Sequence, residues 1–158
     1  MKKIVLFAGL IALLAGCNNV TDKKDSGEPL SFVSSDSSVR DGLFIHLSHG
    51  YEDVNRASMA LSLAVKVADT VDVIVFCDLE AVKLLTKTAE HPAMSADHYM
   101  CPKDALDELR KLHVTIMACP MCLKAAGIKA EDLIDGVIVA KRDKFFNFTR
   151  GRILTLDY

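Results

Sequence analysis

Apolar runs alternate with amphipathic stretches along most of the chain. Five strands are predicted where the runs are continuous or alternate with polar residues, at residues 42–48, 71–78, 114–119, 137–140 and 152–158. Helical spacing of apolar residues between them predicts helices at residues 52–69, 79–90, 103–113, 120–127 and 129–136. Strands that alternate with helices predict an α/β fold, in which a mostly parallel sheet carries helices on both faces.

Polar and sulfur-containing side chains follow three of the predicted strands. They are Ser48, His49 and Tyr51 after the first strand, Cys77 and Asp78 at the second, and Cys119 and Cys122 at the third. Ligands of such sheets bind beyond the carboxyl ends of the strands. We therefore predict a site at this edge, in which Ser48, Tyr51 and Asp78 contact a substrate and the titratable ring of His49 assists a thiol.

The stretch TIMACPMCLKAAG holds two cysteines at the end of the third strand. Cys119 precedes Pro120, which suits the first position of a helix, so the free amides and the dipole of that helix favour its thiolate. Cys122 lies about one helical turn further on, within reach of Cys119. The spacing suits a dithiol–disulfide couple, a sulfur-carrying nucleophile with a helper, or half of a zinc or copper site. A structural disulfide, or two packed thiols without a reaction, is the remaining interpretation.

The other candidate residues have a structural and a functional interpretation. Cys101 lies in the loop at residues 91–102. Its functional interpretation is a resolving thiol or a metal ligand with His98, Cys119 and Cys122, and its structural one is a loop disulfide or a thiol packed under the loop. Cys77 is predicted in the core, because cysteine is among the most buried residue types. His46, inside the first strand, is predicted to be a core histidine. Methionines near these cysteines favour Cu(I), although methionine also fills gaps in protein cores.

The N-terminus has the layout of an export signal. Two lysines precede an apolar run that is too short for a comfortable transmembrane helix, which predicts a signal peptide at residues 1–16. The run ends in Leu-Ala-Gly-Cys, which resembles the lipobox of bacterial lipoproteins and implies lipid attachment to Cys17. Asn18 follows this cysteine, which in a Gram-negative cell favours the periplasmic face of the outer membrane. Polar residues 17–38 are predicted to be a flexible tether, and residues 39–158 a single domain.

Charge and motifs exclude several classes of function. Loss of Lys2 and Lys3 with the signal peptide changes the formal net charge from −2 to −4. Without a basic excess, nucleic acid is not an expected partner. No hydrolase, P-loop or GxGxxG motif is present. The stretch RDKFFNFTRGR has three phenylalanines in four residues, and we interpret it as an oligomer contact or as cover for the last strand.

From Gly42 to Tyr158 the sequence resembles the DsrE/DsrF-like (DsrEFH) sulfur-relay family. The residues that carry the resemblance are GLFIHLSHGYED, VDVIVFCD and VTIMACPMCLKAAGIKAEDLIDGVIVA. The resemblance implies a three-layer α/β/α fold with a five-stranded parallel sheet and assembly into trimers or hexamers. It also implies a persulfide on the cysteine eight residues before the glycine, which here is Cys119, eight residues before Gly127. Some members have a CxxC at this position, matched here by Cys119 and Cys122.

The expected function is therefore sulfur relay or thiol redox chemistry in the cell envelope. Cys119 would be the nucleophile and Cys122 its resolving partner, with a sulfur donor, a sulfur acceptor or a redox protein as partner and no cofactor. Sulfurtransferase-like or redox catalysis stays open. The alternatives are a copper or zinc module that uses the same cysteines, and a structural oligomer.

Overall fold

The computed structural model describes residues 38–91 and 99–158. The predictions for the signal peptide, Cys17, most of the tether and His98 lie outside these residues. The five strands are β1 (Gly42–Leu47), β2 (Asp72–Cys77), β3 (Thr115–Ala118), β4 (Val137–Val139) and β5 (Ile153–Asp157). They form one sheet in the order β4-β3-β2-β1-β5, and all neighbouring strands are parallel. The predicted α/β fold with a five-stranded parallel sheet is confirmed.

Within residues 38–91 and 99–158, four α-helices connect the strands, and they are α1 (Val54–Val67), α2 (Pro102–Lys111), α3 (Pro120–Ala125) and α4 (Arg142–Phe145). Short 3₁₀ helices lie at Tyr51–Asp53, Leu79–Leu85 and Ala130–Asp132. The helix predicted at residues 79–90 is thus a shorter 3₁₀ helix. It ends where Thr86 becomes extended and forms an isolated antiparallel bridge with Leu133, which draws the chain out of helical geometry.

Helix α1 shows why these sequences form these elements. The Asp53 side chain accepts a hydrogen bond of 3.1 Å from the Arg56 N–H, which satisfies one of the free amides at the helix start. Ala57, Ala60 and Ala64 recur on the buried side of the helix. Their small side chains allow α1 to approach both α2 and the sheet closely.

The main core lies between one face of the sheet and helices α1 and α2. Leu43, Ile45 and Leu47 of β1 belong to this core, and Ile45 and Leu47 are fully buried. Because side chains alternate along a strand, Phe44 and His46 lie on the opposite face. This second face is covered by the connection from β4 to β5, which contains α4.

Phe145 of α4 packs on two strands of the second face. Its ring centroid is 5.4 Å from that of Phe44 on β1 and 4.6 Å from that of Phe76 on β2. The phenylalanine-rich stretch therefore packs on β1 and β2 through Phe145. Its interpretation as an oligomer contact or as cover for the last strand stays a prediction. Sequence spacing could not identify these partners, because they depend on the strand order. Within the described residues, no helix is long and apolar enough to cross a membrane.

Candidate functional site

The two cysteines of the CxxC lie where β3 ends and α3 begins. The Cys119 N–H donates to the Cys77 carbonyl at 2.9 Å, which continues the β2–β3 pairing to the edge of the sheet. The Cys119 carbonyl accepts from the Leu123 N–H at 3.0 Å, which starts the helix. Both cysteines are half-buried and neither forms a disulfide. The strand end and the helix start thus hold a free dithiol at the carboxyl edge of the sheet.

The Cys122 thiol interacts with three groups around it. Burial raises its pKa, and the neighbouring Cys119 thiol and the Asp78 carboxylate raise it further, while a hydrogen bond from the Leu79 N–H acts in the opposite direction. At neutral pH Cys122 is therefore a thiol that holds its proton beside the sulfur of Cys119.

Leu79, which donates to Cys122, has an unusual backbone conformation. Its φ is 40°, in the left-handed region that a branched residue rarely adopts, and its side chain is exposed. It is the first residue of the 3₁₀ helix after Asp78. Local strain at this position accompanies a backbone N–H that is directed at the thiol pair.

Asp78, at the end of β2, contacts a histidine that sequence analysis placed in the core. Its Oδ2 is 3.0 Å from Nε2 of His46, while the other ring nitrogen, Nδ1, is 2.8 Å from Oδ1 of Asp157. Burial opposes protonation of the ring, but the two carboxylates outweigh it and raise the pKa of His46. His46 and Asp157 were missed as site residues. The position of His46 between the buried Ile45 and Leu47 was the available signal that its ring leaves the main core.

His49 lies at the end of β1, where it belongs to a separate hydrogen-bond chain. Arg56 donates to its Nε2 at 3.3 Å, and its Nδ1 lies 3.4 Å from the Ser48 hydroxyl, which donates to the Tyr158 carbonyl at 2.9 Å. Because β1 and β3 are separated by β2, the strand ends that carry His49 and Cys119 are on the order of 10 Å apart. The hydrogen bonds of the His49 ring are therefore with Arg56 and Ser48, and its predicted assistance to a thiol stays a prediction.

Tyr51 lies beyond the same strand end, at the start of a 3₁₀ helix. Its ring centroid is 6.0 Å from that of His91. Burial and the nearby Glu90 carboxylate raise the pKa of its hydroxyl. Tyr51 therefore contacts His91, and its predicted role in substrate contact stays a prediction.

The remaining cysteines differ in their surroundings. Cys77 is fully buried, and burial raises its pKa to about 12, in agreement with the predicted core position. Cys101 precedes α2, where its carbonyl accepts from the Ala105 N–H at 3.0 Å, and it is not bonded to another cysteine. In the part of the chain that the structure describes, no three His, Cys, Asp or Glu side chains are grouped to hold a metal ion.

Comparison with known proteins identifies two sequence families in the chain. The DsrE/DsrF-like family matches residues 42–150, and the prokaryotic membrane lipoprotein lipid attachment site matches residues 1–18. The second match includes Cys17. No curated protein matched the chain.

Two solved structures have a similar fold. The ychN protein from E. coli aligns with a TM-score of 0.54 and 19% identity over 74% of this chain and 99% of its own. The protein of unknown function MTH1491 from Methanobacterium thermoautotrophicum aligns with a TM-score of 0.52 and 19% identity over 73% of this chain and 98% of its own. At this identity the likeness is one of fold.

Proposed function

The chain belongs to the DsrE/DsrF-like family and is lipid-anchored in the cell envelope, and from this premise we propose that it carries sulfur on Cys119. The observation that supports this most is the free Cys119–Cys122 dithiol at the carboxyl edge of the sheet. Its two members have different roles in the proposal. Cys119 attacks, while Cys122, with its raised pKa, supplies a proton.

The proposed loading step transfers one sulfur atom. The Cys119 thiolate attacks the terminal sulfur of a donor persulfide, the S–S bond of the donor breaks, and the donor leaves as a thiolate with the bonding electron pair. Cys119 then carries the persulfide. An acceptor thiolate that attacks the same terminal sulfur takes it over and regenerates the Cys119 thiolate, so relay between two partners needs no net oxidant or reductant.

Cys122 provides a second route when no acceptor is present. Its sulfur attacks the inner sulfur of the Cys119 persulfide, a Cys119–Cys122 disulfide forms, and hydrosulfide leaves with the proton of Cys122. A partner dithiol then reduces this disulfide and is itself oxidised to a disulfide. This route makes Cys122 the resolving residue, and it connects the sulfur-relay and thiol-redox interpretations of the same site.

The location and assembly of the protein are part of the proposal. Asn18 after the predicted lipidated cysteine supports the periplasmic face of the outer membrane in a Gram-negative cell. Exposed apolar side chains on the edge strands, Ile138 of β4 and Ile153 and Leu154 of β5, support a homo-oligomer such as a trimer or hexamer.

Intact-protein mass spectrometry of the full chain after incubation with glutathione persulfide tests the proposal. We expect one added sulfur that is converted to a disulfide in the wild type, accumulates in Cys122→Ser and is absent in Cys119→Ser. Cys101→Ser is the matched control and should behave as the wild type. Sulfur addition that persists in Cys119→Ser would exclude the proposed role of that residue.

The same samples test the metal alternative. After incubation with Zn(II) or Cu(I) and desalting, native mass spectrometry would show a retained ion if the cysteines form a metal site. Retention that is lost in both Cys119→Ser and Cys122→Ser, without any sulfur adduct in the wild type, would favour the metal module over sulfur relay.

A further inference from the structure

Residues 141–152, which we call the basic–aromatic segment, differ in charge from the rest of the protein. They contain five of the 19 Lys and Arg residues of the chain but one of its 21 Asp and Glu residues. The same segment contains Phe145, Phe146 and Phe148. The segment thus has a formal net charge of +4, five basic residues less one acidic, in a chain whose formal net charge is −2.

The basic–aromatic segment crosses the second face of the sheet, because it joins β4 at one edge to β5 at the other. Phe145 fixes the segment on Phe44 and Phe76 through the ring contacts described above. The next residue, Phe146, is 70% exposed. A large apolar side chain is thus held in solvent by a neighbour that is anchored to the sheet.

Most of the positive charges in the segment are available to a partner. Arg152 forms an ion pair with the buried Asp41. The Asp41 carboxylate accepts hydrogen bonds from the guanidinium and from the backbone N–H of Arg152. The other four basic side chains are exposed and have no carboxylate partner within residues 38–91 and 99–158, and they are Lys141, Arg142, Lys144 and Arg150. Exposed cations beside an exposed phenylalanine suit an anionic interface with an apolar interior.

The segment also lies where the N-terminal part of the chain enters the domain. The Gly42 N–H donates to the Arg152 carbonyl at 2.7 Å, and the Thr149 hydroxyl donates to the Arg40 carbonyl. Gly151 lies so close that an added Cβ would be 2.3 Å from the Arg40 oxygen, which leaves no room for a side chain. Residues 40–42 and 149–152 therefore pack against each other and form one structural unit.

This unit is close in sequence to the lipid attachment site. Cys17 and Ser38 are 21 positions apart, so even a fully extended chain spans at most about 70–75 Å between them. A second contact within this reach forms at a high effective concentration.

We propose that the basic–aromatic segment binds the anionic lipid headgroups of the membrane that holds the lipid anchor, with Phe146 inserted at the level of the acyl chains. The contact is a second membrane signal in addition to the lipid, and it turns the second face of the sheet towards the bilayer. A second copy of the chain fits less well, because a symmetric contact would bring the same four unpaired cations together.

A tryptophan at position 146 tests this contact, because the sequence contains no tryptophan. Full-length lipoprotein carrying Phe146→Trp is reconstituted in vesicles of phosphatidylcholine, with or without phosphatidylglycerol, whose acyl chains are brominated. We expect the bromine atoms to quench Trp fluorescence strongly in the anionic vesicles and weakly in the neutral ones. The matched control, Met59→Trp, lies partly exposed on α1 over the other face and should not be quenched.

Charge removal and salt provide the second arm. Lys141→Gln and Lys144→Gln in the Phe146→Trp background should each lower the ratio of docked to undocked protein about fivefold, and high salt should lower it as well. Circular dichroism confirms that the variants fold. The proposal is overturned by quenching that ignores lipid charge, by equal quenching at position 59, or by an absence of quenching. Shielding of position 146 that depends on protein density and not on lipid would also overturn it, in favour of a second copy.

Discussion

The carboxylate of Asp157, on the edge strand β5, holds the imidazole of His46 on β1 with an Oδ1–Nδ1 distance of 2.8 Å. The same ring contacts Asp78 at the end of β2. One histidine therefore links the carboxyl ends of the three neighbouring strands β2, β1 and β5. Its partner Asp78 also raises the pKa of Cys122.

This link predicts a pH dependence of stability. Because the pKa of His46 is raised in the folded state, its contribution is complete below about pH 6.5, the ordinary histidine value, and is lost as the pH rises through the raised value. We expect His46→Gln to lower the free energy of unfolding by at most about 1 kcal/mol at pH 6, since the site is partly exposed, and by less at pH 8. Urea denaturation at both pH values measures the difference.

Asp157→Asn is the companion variant for the histidine prediction. It removes one of the two carboxylates and should reduce, but not abolish, the pH dependence, because Asp78 remains. An identical pH slope in the wild type and both variants would mean that His46 contributes no coupling between protonation and folding.

Backbone strain at Leu79 predicts an unusual effect of glycine. A left-handed conformation costs a branched residue roughly 1–2 kcal/mol, which glycine does not pay, although glycine loses more entropy on folding. We expect Leu79→Gly to be neutral or stabilising by up to about 1 kcal/mol in urea denaturation. Leu79→Ala keeps the strain and removes a side chain that is already exposed, so it should change stability little. A glycine variant that is less stable than the alanine variant would contradict the assignment of strain.

Different burial of Ile45 on β1 and Leu154 on the edge strand β5 predicts different losses of stability when each side chain is shortened to alanine. Ile45 is fully buried in the main core, and Ile45→Ala should destabilise the domain by about 2–5 kcal/mol. Leu154 pairs with the neighbouring Leu43, but it lies on the edge strand and is 46% exposed, so Leu154→Ala should cost less than about 1 kcal/mol. Thermal or urea unfolding of the Ile45→Ala and Leu154→Ala variants would compare their losses of stability with that of the wild type. Equal losses would mean that an assembly buries β5.

Thiol reactivity should separate Cys77 from the CxxC. With a pKa of about 12, roughly one Cys77 in ten thousand is a thiolate at pH 8, and the side chain is fully buried. Iodoacetamide at pH 8 should therefore modify Cys119 in the native protein and leave Cys77 unmodified until a denaturant is added. Peptide mass spectrometry gives the modified positions. Native labelling of Cys77 at the rate of Cys119 would show that the strand end opens readily.

The strands could be predicted from the sequence because β1, β2 and β3 are continuous apolar runs, as expected of strands covered on both faces. The strand order could not, because parallel neighbours are joined by crossovers, and β1 and β5 are neighbours although they lie at opposite ends of the domain sequence. Asp157 therefore had no visible connection with His46, from which it is separated by 111 positions. Residues 79–85 were predicted as part of a helix because apolar spacing does not distinguish a short 3₁₀ helix from an α-helix.

The candidate site could be predicted only in part, because the sequence predicts where strands end but not which strands are neighbours. Asp78 and Cys119 could be placed at one edge, because each ends a predicted strand, and Cys122 could be placed there because it lies about one helical turn after Cys119. His49 also follows a strand, but its distance from Cys119 depends on β2 lying between β1 and β3. The contribution of Leu79 was invisible in the sequence, because it comes from a backbone N–H and not from the side chain.

The pairing of β5 with β1 also determines when the sheet can be completed. Residues 42–46 pair with residues 153–157, so during folding β1 has one unpaired edge until the last strand of the chain joins the sheet. Such distant pairing is slow, and an open edge can recruit other extended chains in the meantime. Newly made protein thus passes through a stage in which it is vulnerable to aggregation, and any factor that covers β1 during that interval would raise the yield of folded lipoprotein.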